Sequence, residues 1–238
     1  MWKLILERCS LLGPAPMFTW VTEAARIELS GTTFLNAVSK ASNMMRDGLD
    51  VEPGDNVYVD LGNHWQSPVW LSASLSVQAI LGIDQSVPTR IVTQQSPIQP
   101  DPRVTTVVIS RDPFGMPERE LASGVINGSL EVRGFGDRFS PMSVQTETDI
   151  LYREEWQQLA MGDVHSLVND QMRAEGITPN STIGITRAES PYLRLLWQVL
   201  VPIVGNCRVV LLDEIGNIDA VIATEQIDHL VELDKKNL

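Results

Sequence analysis

The apolar positions of the chain predict helices and strands in alternation. After Ser30, which we interpret as a helix cap, Phe34, Val38, Ala41 and Met45 follow at helical spacing. We expect further helices at 4–12, 65–79, 154–175, 191–204 and 219–223, and strands at 17–21, 26–29, 57–61, 79–83, 104–110, 150–152, 182–186, 208–212 and 229–233. Helices that alternate with strands in this way favour mainly parallel sheets with right-handed crossovers.

One pattern occurs twice along the chain. Residues 48–59 lead from a helical stretch through a turn into a buried strand, and residues 176–185 repeat that order. The repeat predicts an α/β fold of two similar subdomains with mainly parallel sheets. We expect a single compact domain over 1–238, with halves at about 1–87 and 149–238 and a connector and irregular insert at 88–148. Within that connector, the segment from Pro88 to Pro102 has four prolines and little periodicity, which is typical of a long loop.

The longest predicted helix is 154–175, with Trp156, Leu159 and Val164 on its apolar side.

The longest apolar stretch of the chain lies elsewhere, at 195–205, and it is too short to span a bilayer. We therefore expect no membrane segment.

Composition limits the partners and the compartment. The chain carries 30 acidic and 18 basic residues, a net charge of -12, so the phosphates of a nucleic acid or an anionic membrane are repelled. Cys9 and Cys207 lie far apart in the sequence and predict neither a disulfide framework nor a zinc site. The histidines at 64, 165 and 229 are isolated and predict no metal site. The sequence therefore predicts a cytoplasmic protein that binds neither nucleic acid nor membranes.

Several motifs in order carry a family resemblance. Arg-Ile-Glu-Leu-Ser at 26–30, Gly-Leu-x-x-x-Pro-Gly-Asp-x-Val at 48–57 and Asn-His-Trp-Gln at 63–66 stand at the expected places around a helix and a strand. A strand that ends at Asp213 closes the stretch 176–213. This series resembles the acyl-adenylate-forming enzymes, which comprise acyl-CoA synthetases, luciferases and adenylation domains. The resemblance covers most of the chain from about Met17 onward.

Two further runs narrow the resemblance. Asp-Pro-Phe-Gly-Met-Pro at 112–117 and Gly-Asp-Arg-Phe-Ser-Pro at 136–141 are similar to a small group of bacterial proteins of this length. That group resembles a shortened N-terminal part of the adenylate-forming enzymes. The fold that this implies is two α/β subdomains, in agreement with the repeat.

The resemblance implies a phosphate-binding loop that this sequence lacks. The family binds ATP with a loop rich in Ser, Thr and Gly that ends in Pro-Lys-Gly, whose N–H groups and lysine neutralise phosphate charge. After Tyr152 the chain runs directly into Arg153-Glu-Glu-Trp156, as if the loop were deleted. After Ser110, the run 111–118 has an acidic residue where the lysine is needed. The family's adenine motif, ribose-binding aspartate and lid lysine are also missing from the sequence, so we expect no cofactor.

Two loops and one histidine carry the candidate site. Ligands in open α/β sheets settle beyond the carboxyl ends of strands, where the loop after Ser110 is expected. The candidate ligand- or partner-binding residues are Arg111, Asp112, Phe114, Gly115, Gly136, Asp137, Arg138 and His64. We expect the two loops to meet and form a pocket or a partner-docking edge, with Arg138 binding a carboxylate in bidentate fashion. The alternative is that Asp112 and Arg138 only pin their loops to the sheet, and that His64 caps or packs a helix.

Three functions are compatible with these features. The first is a non-catalytic protein, similar to the AMP-binding enzymes, that binds a small molecule or a protein partner. The second is an enzyme with reduced or altered acyl or adenylate chemistry. The third is a structural subunit of a larger complex.

Overall fold

The computed structural model describes residues 1–82, 87–94, 101–187 and 190–233. The strands are β1 (Pro16–Val21), β2 (Arg26–Ser30), β3 (Asn56–Asp60), β4 (Ile80–Gly82), β5 (Thr89–Val92), β6 (Thr105–Val108), β7 (Ile126–Asn127), β8 (Ile150–Arg153), β9 (Gln158–Ala160), β10 (Thr182–Ile185), β11 (Arg208–Leu212) and β12 (His229–Val231). The α-helices are α1 (Trp2–Leu12), α2 (Gly31–Asn43), α3 (Gln66–Ser76), α4 (Gly128–Glu131), α5 (Val164–Ala174), α6 (Pro191–Leu195), α7 (Val201–Val204) and α8 (Ile218–Glu225).

Contacts between Cα atoms divide the chain into two compact units. Unit 1 contains Met1–Trp2, Asn36–Leu61 and Val69–Gly162. Unit 2 contains Lys3–Leu35, Gly62–Pro68 and Asp163–Leu238. The units are discontinuous in sequence because β1 pairs in parallel with β11, while β2 pairs antiparallel with β1. The division into halves at about 1–87 and 149–238 stays a prediction. That the chain forms a single domain stays a prediction.

Each unit has its own mostly parallel sheet, which confirms the predicted α/β class. In the described part of unit 1 the strand order is β7-β6-β5-β3-β4-β8-β9, and only β8 and β9 pair antiparallel. In the described part of unit 2 the order is β12-β10-β11-β1-β2, and only β1 and β2 pair antiparallel. The expected inward positions Val57, Val59, Ile183 and Ile185 are buried.

The start of α2 shows how local sequence sets an element. Thr33 N donates a hydrogen bond to Ser30 Oγ at 3.1 Å, so Ser30 caps the helix as predicted. Phe34, Val38 and Ala41 are buried along one face. The helix ends in a π-helical turn, Met44–Gly48.

Both copies of the repeated pattern enter their strands through turns with left-handed backbone. Gly54 has a φ of 90° before β3, and its N donates to Gln78 O at 2.9 Å. Asn180 has a φ of 71° before β10, a conformation that Asn tolerates better than most residues. The similarity of the two subdomains stays a prediction.

The predicted helix at 154–175 is wrong in its first ten residues. Residues Gln158–Ala160 form β9, which pairs antiparallel with β8, and the helix begins only at Val164. Trp156 is 90% exposed in the turn between the two strands. The three-residue spacing from Trp156 to Leu159 is typical of a helix, but here the pairing of β9 with β8 determines the conformation of the segment.

The long loop predicted from Pro88 to Pro102 is wrong in its first part, where Thr89–Val92 form β5. The described residues of 88–148 include three strands of the unit 1 sheet, of which only β6 was expected. The four residues of β5 are buried between β3 and β6, and the β-branched side chains of Thr89, Ile91 and Val92 suit that place. Residues 95–100 of the predicted loop lie outside the described residues.

None of the helices in the described part of the chain has the length and apolar character that crossing a bilayer demands.

Candidate functional site

The loop that follows β6 begins where the carboxyl ends of β5 and β6 lie side by side. Asp112 organises this loop: its Oδ1 accepts hydrogen bonds from Phe114 N at 2.8 Å and from Met116 N at 3.1 Å. Its carbonyl oxygen accepts a third from Gly115 N at 2.9 Å. Gly115 has a φ of 64°, which glycine adopts without steric cost. Asp112 therefore shapes the loop.

Two contacts attach the same loop to the rest of unit 1. Ser110 N donates to Ser129 Oγ at 2.9 Å. Arg133 Nη2 donates to Gly115 O at 2.9 Å and lies 3.8 Å from Met116 Sδ. The predicted site residue Arg111 is half-buried at the base of the loop. The loop is thus anchored at its base and near its tip.

The second predicted loop packs against the end of α2. Asn43 Nδ2 donates to Gly136 O at 2.9 Å and to Arg138 O at 2.8 Å. Lys40 Nζ donates to Phe135 O at 3.0 Å. The side chains of Asp137 and Arg138 are exposed. This loop is therefore held through its carbonyl groups.

The contact with the first loop comes from Arg133, and not from the predicted residue Arg138. Within the described residues, Asp112 and Arg138 form no ion pair with each other, and each is engaged through other atoms. Arg133, just before the second loop, makes the contact to Gly115. The sequence did not distinguish Arg133 from Arg138, because the choice depends on how α4 and the turn after it pack against the first loop.

A cavity of about 590 Å³ lies beside the first loop in unit 1. The described residues that line it are Gln94, Ser110, Asp112, Met116, Pro117, Glu118, Arg119 and Glu120. Gln94 Nε2 donates to Glu120 O at 3.0 Å, which ties the end of β5 to the far side of the loop. Three acidic residues and one arginine are among the lining residues, and the guanidinium of Arg133 lies beside the lining residue Met116.

His64 occupies a different environment, in unit 2. It is buried, with its ring centroid 4.7 Å from that of Trp20 and 5.5 Å from that of Trp65. Trp20 Nε1 donates to Asp213 Oδ2 at 3.2 Å, at the carboxyl ends of β1 and β11. Gln66 N, at the start of α3, donates to His64 Nδ1 at 3.4 Å. The structure therefore places His64 within a buried aromatic cluster, with its ring nitrogen at the first residue of α3.

A buried amide network in unit 2 was missed by the sequence reasoning. Asn63 Nδ2 donates to Ile185 O at 2.9 Å and to Leu212 O at 2.7 Å, which joins the carboxyl ends of β10 and β11. Gln198 Nε2 donates to Asn63 Oδ1 at 3.0 Å, and Ser67 Oγ donates to Gln198 Oε1 at 2.6 Å. The sequence feature that could have indicated this network is Gln198, because it is a polar residue inside the apolar stretch 195–205.

The cysteines are poorly suited to nucleophilic chemistry. Both are free and buried. Burial raises the pKa of the Cys9 thiol to about 12 and that of the Cys207 thiol to about 11. The reactive thiolate is therefore scarce at neutral pH. No group of three or more His, Cys, Asp or Glu side chains in the described ranges is arranged to hold a metal ion.

The β8–β9 hairpin stands where the phosphate loop was expected after Tyr152. Glu154 N donates to Gln157 O at 2.7 Å, which closes a tight turn of four residues. Tyr152 Oη donates to Glu154 Oε2 at 2.8 Å. Glu155 and Trp156 project from the turn into solvent. The turn thus presents carboxylates and an indole.

Comparison with solved structures decides the fold. The chain matches an acyl-CoA synthetase from Brucella canis with a TM-score of 0.77, over 96% of this chain and 47% of that one, at 13% identity. The fold is that of the acyl-CoA synthetases. Acetoacetyl-CoA synthetase from Streptomyces lividans matches with a TM-score of 0.73 at 14% identity, over 97% of this chain and 42% of that one. The chain therefore spans less than half the length of either synthetase.

One curated relative is similar in sequence. A Mycobacterium tuberculosis protein named "TIGR03089 family protein" is 33% identical over 137 residues, which is 53% of this chain and 56% of that protein. A scan against protein-family models gave no match. The solved synthetases therefore show the fold of this chain, and the curated relative is similar to it over about half of its sequence.

Proposed function

We propose that this chain is a non-catalytic protein with the fold of the acyl-CoA synthetases, and that it acts by binding. Its binding surface is the unit 1 edge at the carboxyl ends of β5 and β6. A small molecule and a protein partner both fit this general function.

The β8–β9 hairpin is the observation that carries the proposal. Adenylate formation requires cationic and N–H donors preorganised around the phosphates of ATP. The turn instead carries Glu154 and Glu155, and it is closed by a backbone hydrogen bond from Glu154 N to Gln157 O at 2.7 Å. Carboxylates at this position repel phosphates, and so tight a turn leaves little room for a phosphate-binding loop.

The loop after β6 supports the binding role. Open α/β sheets bind ligands beyond the carboxyl ends of their strands, and this loop lies there with a cavity of about 590 Å³ beside it. Asp112 and Arg133 hold the backbone of the loop in one conformation. A preordered loop loses less conformational entropy on binding, so it suits recognition.

We further propose a cytoplasmic location. The support is the pair of free, buried cysteines, which is typical of proteins in a reducing compartment.

A pyrophosphate-exchange assay tests the proposal. We expect purified protein with MgATP to show no exchange above background with acetate, acetoacetate or fatty acids, because phosphate donors are missing from the hairpin. An acyl-CoA synthetase assayed in parallel shows that the assay works. Robust exchange that depends on an added carboxylate would contradict the proposal and favour the alternative, an enzyme of altered adenylate chemistry.

A further inference from the structure

One segment of unit 1 packs against the end of α2 without using its own amide groups. We call residues 136–144 the strap. Within the described part of the chain, none of its amide N–H groups donates a hydrogen bond, and the next donor is Thr146 N. Amide donors hold helices and strands together, so other contacts must keep the strap in place.

Side chains outside the strap hold it by its carbonyl groups. The donors are Asn43 Nδ2, Arg46 Nη1 and Gln78 Nε2, at distances of 2.6 to 2.9 Å. The accepting oxygens belong to Gly136 and Arg138 for Asn43, to Ser140 for Arg46 and to Ser143 for Gln78. These bonds are exposed or half-buried, so water replaces them at a small net cost when the strap leaves.

Only one side chain of the strap is buried. Phe139 is 7% exposed, and its ring centroid lies 5.1 Å from that of Trp2 and 5.1 Å from Arg46 Cζ. The other strap residues are exposed or half-buried, and Met142 and Val144 are 68% and 89% exposed. Segments with few buried apolar contacts and exposed hydrogen bonds open at low free energy while the rest of a domain stays folded.

Both ends of the strap are fixed. Before it, Lys40 Nζ donates to Phe135 O at 3.0 Å, and the tip of the Phe135 ring lies against Gly48. After it, Thr146 N and Thr146 Oγ1 each donate to the carboxylate of Asp149 at 2.8 Å. The part of the chain that is free to move is therefore limited to the strap.

The strap also forms part of the wall of a cavity of about 450 Å³. It contributes Ser140 and Met142 to the lining, and the remaining lining residues that the structure describes all come from 46–52. That second segment is fixed, because Val51 is buried and its N donates to Met45 O at 2.9 Å. Withdrawal of the strap would remove one wall of the cavity and leave the other in place.

We propose that the strap opens as one unit, with Phe139 leaving its buried position, while the rest of unit 1 stays folded. This opening controls access to the cavity beside residues 46–52. It breaks only contacts that side chains make, because no helix or strand of unit 1 receives a hydrogen bond from the amides of the strap.

Tryptic cleavage after Arg138 measures the opening. The bond to be cut joins Arg138, whose carbonyl is bound by Asn43, to the buried Phe139, so trypsin reaches it only in the open state. When opening and closing are fast relative to cleavage, the rate follows the population of the open state. The full chain is digested with dilute trypsin under native conditions, and the fragments are followed by mass spectrometry.

Variants of the holding side chains test the cause. Asn43→Ala should speed cleavage after Arg138 by about tenfold, because the closed strap loses two hydrogen bonds. Gln78→Asn should also speed it, since the shorter side chain cannot reach Ser143, and Asn tolerates the left-handed backbone at a φ of 64°. Gln78 lies away from the core, so this variant serves if Asn43→Ala fails to fold. Asn36→Ala is the matched control, because Asn36 is exposed on α2, and its cleavage rate should equal that of the unchanged chain.

Asn63→Leu separates local opening from global unfolding. Asn63 holds strand ends in unit 2, so its loss should leave the rate of cleavage after Arg138 unchanged. Acceleration by Asn63→Leu as large as that by Asn43→Ala would show that cleavage requires global unfolding, and would overturn the inference. Unchanged rates in both folded strap variants would overturn it as well. Neither result depends on whether the protein catalyses pyrophosphate exchange.

Discussion

Replacing Asn63 with Leu is expected to lower the free energy of unfolding by about 3–5 kcal/mol. The Asn63 amide satisfies the carbonyl oxygens of Ile185 and Leu212 and accepts from Gln198 Nε2. Leucine can do neither, so buried polar groups on three residues lose a partner at a cost of about 1–3 kcal/mol each. Chemical unfolding of both proteins, followed by circular dichroism, measures the difference.

The control for this change is Asn169→Leu. Asn169 is exposed on α5, so the same chemical replacement should change stability by less than about 0.5 kcal/mol. Equal stabilities for Asn63→Leu and the unchanged chain would mean that the network does not hold the ends of β10 and β11 together.

Replacing Glu225 with Gln is expected to cost about 1–3 kcal/mol near pH 7. The buried carboxylate of Glu225 accepts from Arg26 Nε at 2.7 Å and from Arg208 Nη2 at 3.1 Å. Hydrogen bonds to charged groups are the stronger ones, and glutamine cannot serve two guanidinium groups equally. Both arginines are partly exposed, which keeps the cost below that of a fully buried pair.

The cost of this change should depend on pH. The hydrogen bonds from Arg26 hold the pKa of Glu225 below its usual value of 4.5. A carboxyl whose pKa is lowered in the folded state stabilises the fold fully above its unfolded pKa and loses that contribution as pH falls through the folded pKa. The stabilities of the two proteins should therefore differ at pH 7 and converge as pH falls below 4.5.

The matched control for Glu225 is Glu28→Gln. Glu28 Oε2 lies 2.8 Å from Nη2 of the same arginine, Arg26, but the Glu28 side chain is 36% exposed. Exposed pairs contribute about 0–1 kcal/mol, so this change should matter little at any pH. A pH-independent difference for Glu225→Gln would show that shape, rather than charge, accounts for its effect.

Local signals in the sequence predicted much of the fold. Ser30 and the apolar residues after it define α2 because capping and helical spacing depend on neighbours alone. The burial of Val57 and Ile183 was likewise readable from short apolar runs. The helix predicted from Trp156 onward was wrong because apolar residues three positions apart occur both in a helix and in a strand that follows a turn. The strand β5 was not predicted because the prolines that follow it in the sequence are typical of a loop.

The candidate site was less predictable, since it depends on contacts between distant residues. Asp112 and Gly115 were expected in the loop after Ser110, and there they form a turn. The contact of Arg133 with that loop depends on the packing of α4, which no pattern near Arg133 reveals. Asn63 was visible within a motif, but its role depends on two strands that lie 122 and 149 residues away in the sequence.

Calorimetric titration of the full chain with MgATP tests the central claim most directly, because binding of nucleotide must precede any adenylation. The account predicts no saturable heat, since the hairpin presents Glu154 and Glu155 where phosphates would need cationic donors. An acyl-CoA synthetase titrated under the same conditions should bind. One-to-one binding with a dissociation constant below about 1 mM, the upper end of ordinary Michaelis constants, would contradict the account.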